Sequence, residues 1–512
     1  MSDTATTAIF ANIADVATST DASERALLSG DIAGASPHAA RAILRPANLD
    51  AVCAIVAEAR REGISLHPRG GGWSYTGGYS PSARGAIVDT SALDRIEIDR
   101  EAETVTAGAG ATWARLYDAL DAVGRRVTSF GPLSGIGATV GGATAQNGGF
   151  FGAAGNGAFG DGVIRGGTIV TGTSEPYRLE SDDRADGIAA PQPLVGDCGA
   201  FGIRTDVTLR TITRPPATLF ASFHFPTGAI ALEVLSRLPG LPALGDAYVF
   251  DPGTHANLAR TGFSVIESAA IAGDLLGAGG GLLGRVSGLL RTARAGKAFM
   301  ADLAWTLHVV LEGSASEAAA TLADITRRVA AAGGEVIPDV IPRVTRARPF
   351  RRIKALLGPD GEAWLPVHGV FRADQVQAAL ATVEALFADQ AGEMKALGVR
   401  GVTLAVLMGA RTVIEPQLFW PDALSDVVRR MATPDQVAAY GTRPPNHPAR
   451  SFAHTLRKQL LAALDASGAS HFQIGRSYAA HPGVSDQVRA AWTRLKTRFD
   501  PDGIMNPGVL GL

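Results

Sequence analysis

The sequence predicts an α+β protein, and three observations carry that expectation. HPRGGGWSYTGG, His67 to Gly78, is a glycine-rich turn set between two short apolar runs, Ile64 to Leu66 and Ala86 to Asp89. Ile203 to Arg210 alternates strictly, with Ile203, Thr205, Val207 and Leu209 on one face and Arg204, Asp206, Thr208 and Arg210 on the other. That is the period of a strand with two unlike faces. Beyond Pro215-Pro216 the texture becomes strand followed by helix, repeated, which suggests an antiparallel sheet with helices on one face.

In chain order, Asn48 precedes a helix over Asp50 to Glu62, where Val52, Ile55, Val56 and Ala59 share one face and Gly63 stops it. Ile96 with Ile98, and Thr104 to Ala107, read as short strands, and Trp113 to Val123 as a helix with Leu116, Leu120 and Val123 inward. Val163 to Thr171 reads as a strand. These short strands do not resemble a long parallel Rossmann sheet. After Pro215-Pro216, strands are expected at Trp305 to Leu311, Trp364 to Phe371, Val402 to Leu407 and Thr412 to Phe419. Helices are expected at Ser316 to Ala332 and Asp374 to Leu397.

With 512 residues the chain is long enough for two or three domains. Charged residues at 19% and hydrophobic residues at 46% place it with globular rather than disordered chains. A net charge of -2 leaves no electrostatic footprint for nucleic acid. Cys53 and Cys198 are the only cysteines, so a disulfide framework or zinc-thiolate site is not expected. With no basic-then-apolar leader in MSDTATTAIF, the expected location is cytoplasmic. Ile266 to Leu290 is the most membrane-like stretch, but Asp274, Arg285 and its glycines argue against a transmembrane segment. It reads as a loosely amphipathic helix with a glycine break, packed, surface-lying or bound to a partner.

The glycines point to chemistry. Three in a row after Arg69 free the backbone for positive φ, and successive N–H groups in such a turn form a nest for a phosphate or pyrophosphate. A flexible hairpin turn is the competing reading. Gly131 to Asp161, GPLSGIGATVGGATAQNGGFFGAAGNGAFGD, lacks a GxGxxG between strand and helix, so the Rossmann fingerprint is not met. Its Ser, Thr, Gln and Asn suggest backbone wrapped around an extended polar ligand, and Phe150, Phe151 and Phe159 argue against disorder. A third cluster, GDCGAFGIRTDVTLRTI, leads into the alternating strand. No HExxH, cysteine cluster or GxSxG is present, so neither a metal nor a serine nucleophile is expected.

Taken in order, RGGGWSYTGG, TVGGATAQNGG followed by FGD, GDCGAFGIRTDVTLR and the terminal FDPDGIMNPG resemble the FAD-linked oxidoreductases of the vanillyl-alcohol oxidase/p-cresol methylhydroxylase superfamily. The resemblance covers nearly the whole chain. It implies a PCMH-type FAD-binding domain of two α+β subdomains over residues 38–215, after an N-terminal extension, 1–37. A cap domain over 216–470 and a C-terminal tail, 471–512, that returns to the FAD domain would follow. It assigns FAD contacts to Arg69, Gly70, Gly71, Gly72, Trp73 and Ser74, and to Thr139, Val140, Gly141, Gly142, Gln146, Asn147, Gly149, Gly152 and Asp161. Gly199, Gly202, Ile203 and Asn506 complete the set.

Two departures shape the expectation. Many relatives carry histidine at the position of Trp73 and attach the flavin through it; tryptophan makes no such bond, so noncovalent FAD is expected, with a link from a cap residue left open. The 2-hydroxy-acid branch carries a GHxGDGNxH-like motif that this chain lacks, whereas LPVHGVF and IEPQLFWPD look more like the aryl-alcohol and phenol branch.

The catalytic candidates are Arg476, Tyr478, His368 and Glu415. Arg476 is suited to negative charge on substrate or reduced flavin, and Tyr478 to a substrate hydroxyl. The competing readings are an ion pair with a cap carboxylate for Arg476, packing for Tyr478, a structural histidine at His368, and a salt bridge to Arg411 for Glu415. His471 and Trp420 are weaker candidates, for the flavin edge and an aromatic wall. The function implied is hydride transfer from a small organic, aryl or phenolic alcohol-type substrate to FAD, with oxygen or a protein or quinone acceptor and possible homo-oligomers. The alternative is a flavin-containing lyase, isomerase or small-molecule binder in which the flavin is not turned over.

Overall fold

The computed structural model describes residues 9–159, 163–180, 184–185, 188–189, 195–260, 303–347, 349–350, 357–479 and 485–512. The expected helix within 266–290, and Asp161, lie outside the described residues.

Four strands, β1 (Val16–Ser19), β2 (Ile43–Pro46), β3 (Ser65–Arg69) and β4 (Gly85–Asp89), form the first sheet in the order β1-β2-β4-β3. β2, β4 and β3 are parallel, and β1 adds antiparallel to β2. The helix Leu49–Glu62 connects β2 to β3; the Asn48 side chain caps its start by accepting from Ala51 N, and Gly63 ends it in the left-handed conformation. Its apolar face closes over Leu44, Leu66 and Val88. The segment ahead of residue 38 is not an appendage: it supplies β1 and the helix Ala22–Ser29.

The second sheet is antiparallel. It comprises β5 (Ile96–Asp99), β6 (Thr104–Gly108), β7 (Arg125–Val127), β8 (Ile164–Val170) and β9 (Pro176–Glu180), while β10 (Arg184–Ala185) and β11 (Ile188–Ala189) pair only with each other. β12 (Ile203–Thr213) is central, in the order β5-β6-β12-β8-β9, with β7 on its far end. Trp113, Leu116 and Leu120 of the helix Trp113–Asp121 pack on Val105, Val207 and Leu209.

From β13 (Ala217–Phe225) onward a third sheet forms, with β14 (Leu244–Phe250), β15 (Trp305–Gly313), β16 (Glu335–Ile337), β17 (Ala363–Pro366), β18 (Gly369–Phe371), β19 (Arg400–Met408) and β20 (Arg411–Trp420). Its order is β16-β13-β15-β14-β19-β20-β17, and β18 also pairs β20. Helices Gly228–Leu235, Ala315–Ala331, Val376–Asp389 and His447–Ala466 share a core with one face through Leu232, Ile325, Leu380, Leu456, Leu307 and Ile414. On the other face Tyr248, Val406 and Val413 join Phe150 and Phe151 of the second glycine region.

The strand expected as continuous from Trp364 to Phe371 is interrupted at Val367 and His368. The pairs Pro366–Gln417 and Gly369–Ile414 keep one register, which sets His368 opposite Glu415. Val367 N donates to Pro416 O at 3.0 Å, but Pro416 has no N–H to return, and His368 N, pointing away from β20, donates to the Tyr478 hydroxyl at 3.1 Å. At the C-terminus, Ile504 to Asn506 lies alongside β3: Leu66 N donates to Ile504 O and Asn506 N to Leu66 O, 2.8 Å each. No helix among the described residues is long and apolar enough to cross a membrane.

Candidate active site

β3 delivers the chain into the glycine turn, and the helix Val140–Gln146 begins opposite it, capped by Thr139, whose hydroxyl accepts from Gly142 N at 3.1 Å. The two loops meet through glycines. A Cβ on Gly70 would strike the Thr139 hydroxyl, one on Gly71 the carbonyl oxygen of Gly137, and one on Gly137 the Trp73 indole. Gly72 takes φ +77°, which L side chains avoid. Between the loops opens a cleft with about 890 Å³ of empty space. Arg69 is buried at its wall: one terminal nitrogen donates to Gly70 O at 3.1 Å, and its Nε has no hydrogen-bond partner. A buried guanidinium with an open donor, beside a turn of unprotected backbone N–H groups, is a donor set for a polyanion.

The glycine turn meets the third sheet at Tyr75. Its ring stands edge-on to Trp364, centroids 5.6 Å apart, and its hydroxyl lies 3.5 Å from His368 Nδ1. His368 is fully buried. Its Nε2 faces the Phe472 carbonyl at 2.9 Å, and a carbonyl only accepts, so Nε2 carries the proton. Nδ1 then accepts from the Tyr478 hydroxyl at 3.1 Å. Burial first, and then the neighbouring His471, hold the imidazole neutral by lowering its pKa to about 3. Both ring nitrogens are therefore occupied.

Glu415 is different. Trp364 Nε1 donates to Gln417 Oε1 at 3.2 Å, which turns the Gln417 amide nitrogen onto Glu415 Oε1 at 2.7 Å. Among the described residues its other carboxyl oxygen has no hydrogen bond, and the side chain is partly accessible. Burial deep in the fold raises its pKa to about 7, against the lowering effect of Gln417. The junction thus offers one carboxyl group poised near neutrality, with Tyr75, Trp364, Gln417 and His368 around it.

Residues 40–180 match the family model of an FAD binding domain. That domain contains both glycine loops and most of the residues that line their cleft. The chain carries an FAD-binding domain. Over its whole length the flavoprotein has the fold of 4-ethylphenol oxidase from Gulosibacter chungangensis in complex with isoeugenol. The TM-score is 0.70 at 15% identity, covering 96% of this chain and 94% of that one. It is similarly close to p-cresol methylhydroxylase with substrate bound, with a TM-score of 0.68 at 15% identity, covering 100% of this chain and 96% of that one. By sequence it is 29% identical to a D-lactate dehydrogenase of Archaeoglobus fulgidus over 201 residues, 38% of this chain. That match spans 44% of the dehydrogenase's own length.

The cleft of this flavoprotein is lined by Arg69, Gly70, Gly71, Gly72, Trp73, Ser74, Thr139, Gly141, Gly142, Gln146 and Gly199. FAD fits there: the glycine turns leave room for its pyrophosphate, and Arg69 would face the negative charge. Other expected contacts serve the walls instead. Val140 and Ile203 are core residues, Asn147 ends the helix with φ 52°, and Gly149 packs on Ala158. Gly152 N donates to Asp246 Oδ1 at 2.5 Å, and Gly202 lies against the Val170 carbonyl.

Thr90, Ser134, Cys198, Arg204 and Gln473 also line the cleft and escaped sequence reasoning. Arg204 was legible only as the polar face of a strand; it is buried and paired with Asp197. Burial pushes the Cys198 thiol up to about 12, so it is not a thiolate at neutral pH.

Three competing readings of the catalytic candidates do not hold. Arg476 makes no cap ion pair among the described residues; it donates to Gly77 O, Gly78 O, Pro507 O and Asn506 Oδ1 at 2.8 to 3.3 Å. Glu415 does not pair with Arg411, because four residues along a strand span about 13 Å rather than one helical turn. Tyr478 is buried, yet it is hydrogen-bonded to His368 rather than merely packed. His471 donates to His368 O at 2.9 Å and meets Asp465 at 2.7 Å. Trp420 belongs to the helix-side core of the cap.

Proposed function

We propose that this flavoprotein is an oxidoreductase that removes a hydride from a C–H bond beside oxygen, or at a benzylic carbon, of a small uncharged substrate. The observation that carries the reading is Glu415, a carboxyl group with one pinned and one free oxygen and a pKa raised to about 7 by burial, at the junction of flavin loop and cap. FAD, when bound, supplies the two-electron acceptor. Glu415 takes the proton of the substrate hydroxyl, so that an alcohol leaves as a carbonyl compound. His368, neutral and held on both nitrogens, positions Tyr478 and Tyr75; Trp364, Tyr75 and Phe472 supply an aromatic wall that excludes water. A carboxylate on the substrate would face the free oxygen of Glu415, and Arg476 is already engaged with four loop and tail oxygens. This argues for a neutral alcohol or phenol rather than a 2-hydroxy acid.

The test is anaerobic mixing of the yellow protein with benzylic, phenolic and aliphatic alcohols and with D-lactate, followed by flavin absorbance. Bleaching by a neutral alcohol and not by D-lactate is expected. A flavin that dithionite reduces but no alcohol bleaches would favour the lyase, isomerase or binder reading.

A further inference from the structure

The flavin turn has a support that lies outside the matched FAD-binding domain. Residues 30–34, ahead of β2, make a tight loop in which Asp31 N donates to Gly34 O and Gly34 N to Asp31 O, at 3.0 and 3.1 Å. That loop is tied to the glycine turn at three points. Asp31 Oδ2 accepts from Gly77 N at 2.7 Å, and Oδ1 accepts from Ala33 N at 2.9 Å. Ile32 N donates to Ser74 O at 3.0 Å. The Tyr79 hydroxyl lies 3.0 Å from both Gly30 O and Gly72 O. Apolar contact backs the polar ties, because Ile32 packs with Tyr75 and Val427, and Trp73 and Trp364 lie against them.

Asp31 is buried, its carboxyl turned inward onto the backbone N–H of Gly77, 46 positions away, and that of Ala33 in its own loop. The residues it holds are those between Trp73 and Gly78, which carry the cleft wall on one side and Tyr75 on the other. Arg476, donating to Gly77 O at 2.8 Å, grips the same residue from the tail. Arg457 and Tyr79 are the other ionisable groups whose charge bears on Asp31.

We propose that residues 30–34 form a clamp of the flavin site and that Asp31 is its positioning residue, acting through Gly77 on both the cleft wall and Tyr75. The proposal rests on FAD occupying the glycine cleft. It is tested on the holoenzyme by the rate of FAD release, followed as recovery of free-flavin fluorescence, in the wild type, Asp31→Ala, Asp31→Asn and Tyr79→Phe. Asp31→Ala is expected to release FAD about tenfold faster or more, and Asp31→Asn, which keeps an acceptor oxygen toward Gly77 N, to recover much of the difference.

Both thermal midpoints should fall, that of the holoenzyme further, because losing the Gly77 tie weakens the fold and FAD retention together. Release by Asp31→Ala within about twofold of wild type, or a flavin-free midpoint that falls as far as that of the holoenzyme, would overturn the proposal. Should Asp31→Ala fail to fold, Tyr79→Phe decides: faster release upholds the clamp and unchanged release sinks it. A wild type that takes up no FAD is a separate outcome, and it would remove the flavin reading itself.

Discussion

His67 and Asn506 are joined by a hydrogen bond from ring Nδ1 to carboxamide oxygen, 2.9 Å long, across 439 positions of sequence. Ser82 N donates to the other ring nitrogen at 3.1 Å, so the proton sits on Nδ1. Asn506 spends its whole carboxamide: the nitrogen donates to Gly78 O at 2.7 Å and Cys198 O at 2.6 Å, and the oxygen also accepts from Arg476 at 3.0 Å. One buried side chain thus binds the start of the flavin turn, its exit, the third glycine cluster and the tail.

Replacing Asn506 with alanine strands the Cys198 carbonyl and the His67 N–H and leaves Gly78 O to Arg476 alone. The expected loss is about 3 kcal/mol of stability, with weakened FAD retention. Urea unfolding of wild type and variant measures it, and an unchanged midpoint would mean the tail is not anchored here.

Gly71 and Gly63 separate two effects that glycine substitutions usually mix. A Cβ on Gly71 would overlap the backbone carbonyl of Gly137, which cannot swing aside like a side chain, so the two flavin loops must part. Gly63 has nothing within 4 Å but takes φ +61°. Gly71→Ala should therefore abolish FAD uptake, whereas Gly63→Ala should cost about 1 kcal/mol and leave FAD affinity alone. Flavin titration by fluorescence quenching distinguishes the two.

Trp73 bears on how the flavin is held. Its indole lies against Gly137 and has no nucleophilic group to offer. Acid precipitation of the yellow protein should leave the colour in the supernatant. Colour kept in the pellet would place a covalent link on another residue.

Much of the fold was legible because it depends on local rules. The alternation over Ile203 to Arg210, the Asn48 cap and Gly63 stop, and the strand–helix repeats of the cap all appear where period and punctuation set them. The site was legible where glycine is required, since a missing Cβ is written in the sequence. It was not legible where register decides. Glu415 opposite His368, and the missing return bond at Pro416, follow from the pairing of β17 and β18 with β20. The pairing of Arg204 with Asp197, and the grip of Asp31 on Gly77, depend on chain packing that no window of sequence contains.

Glu415 ties stability to activity through pH. Its folded pKa of about 7 lies above the ordinary 4.5, so the native state binds more protons than the unfolded chain between those values. Stability therefore falls as pH rises from about 4.5 to 7, and the cost of the buried charge persists above 7. Glu415→Gln removes that cost. The variant should match wild type at pH 4 and exceed it by about 2 kcal/mol at pH 8, a figure kept below the full shift because solvent reaches part of the side chain. Activity should run the other way. If Glu415 accepts the substrate proton, wild-type kcat/KM rises with pH through about 7, and Glu415→Gln loses that limb together with about 100-fold in rate. Paired measurements of unfolding and flavin reduction across pH 5 to 9 read both. A variant that is more stable at high pH yet keeps the rising limb would show a buried carboxyl group with no part in proton transfer.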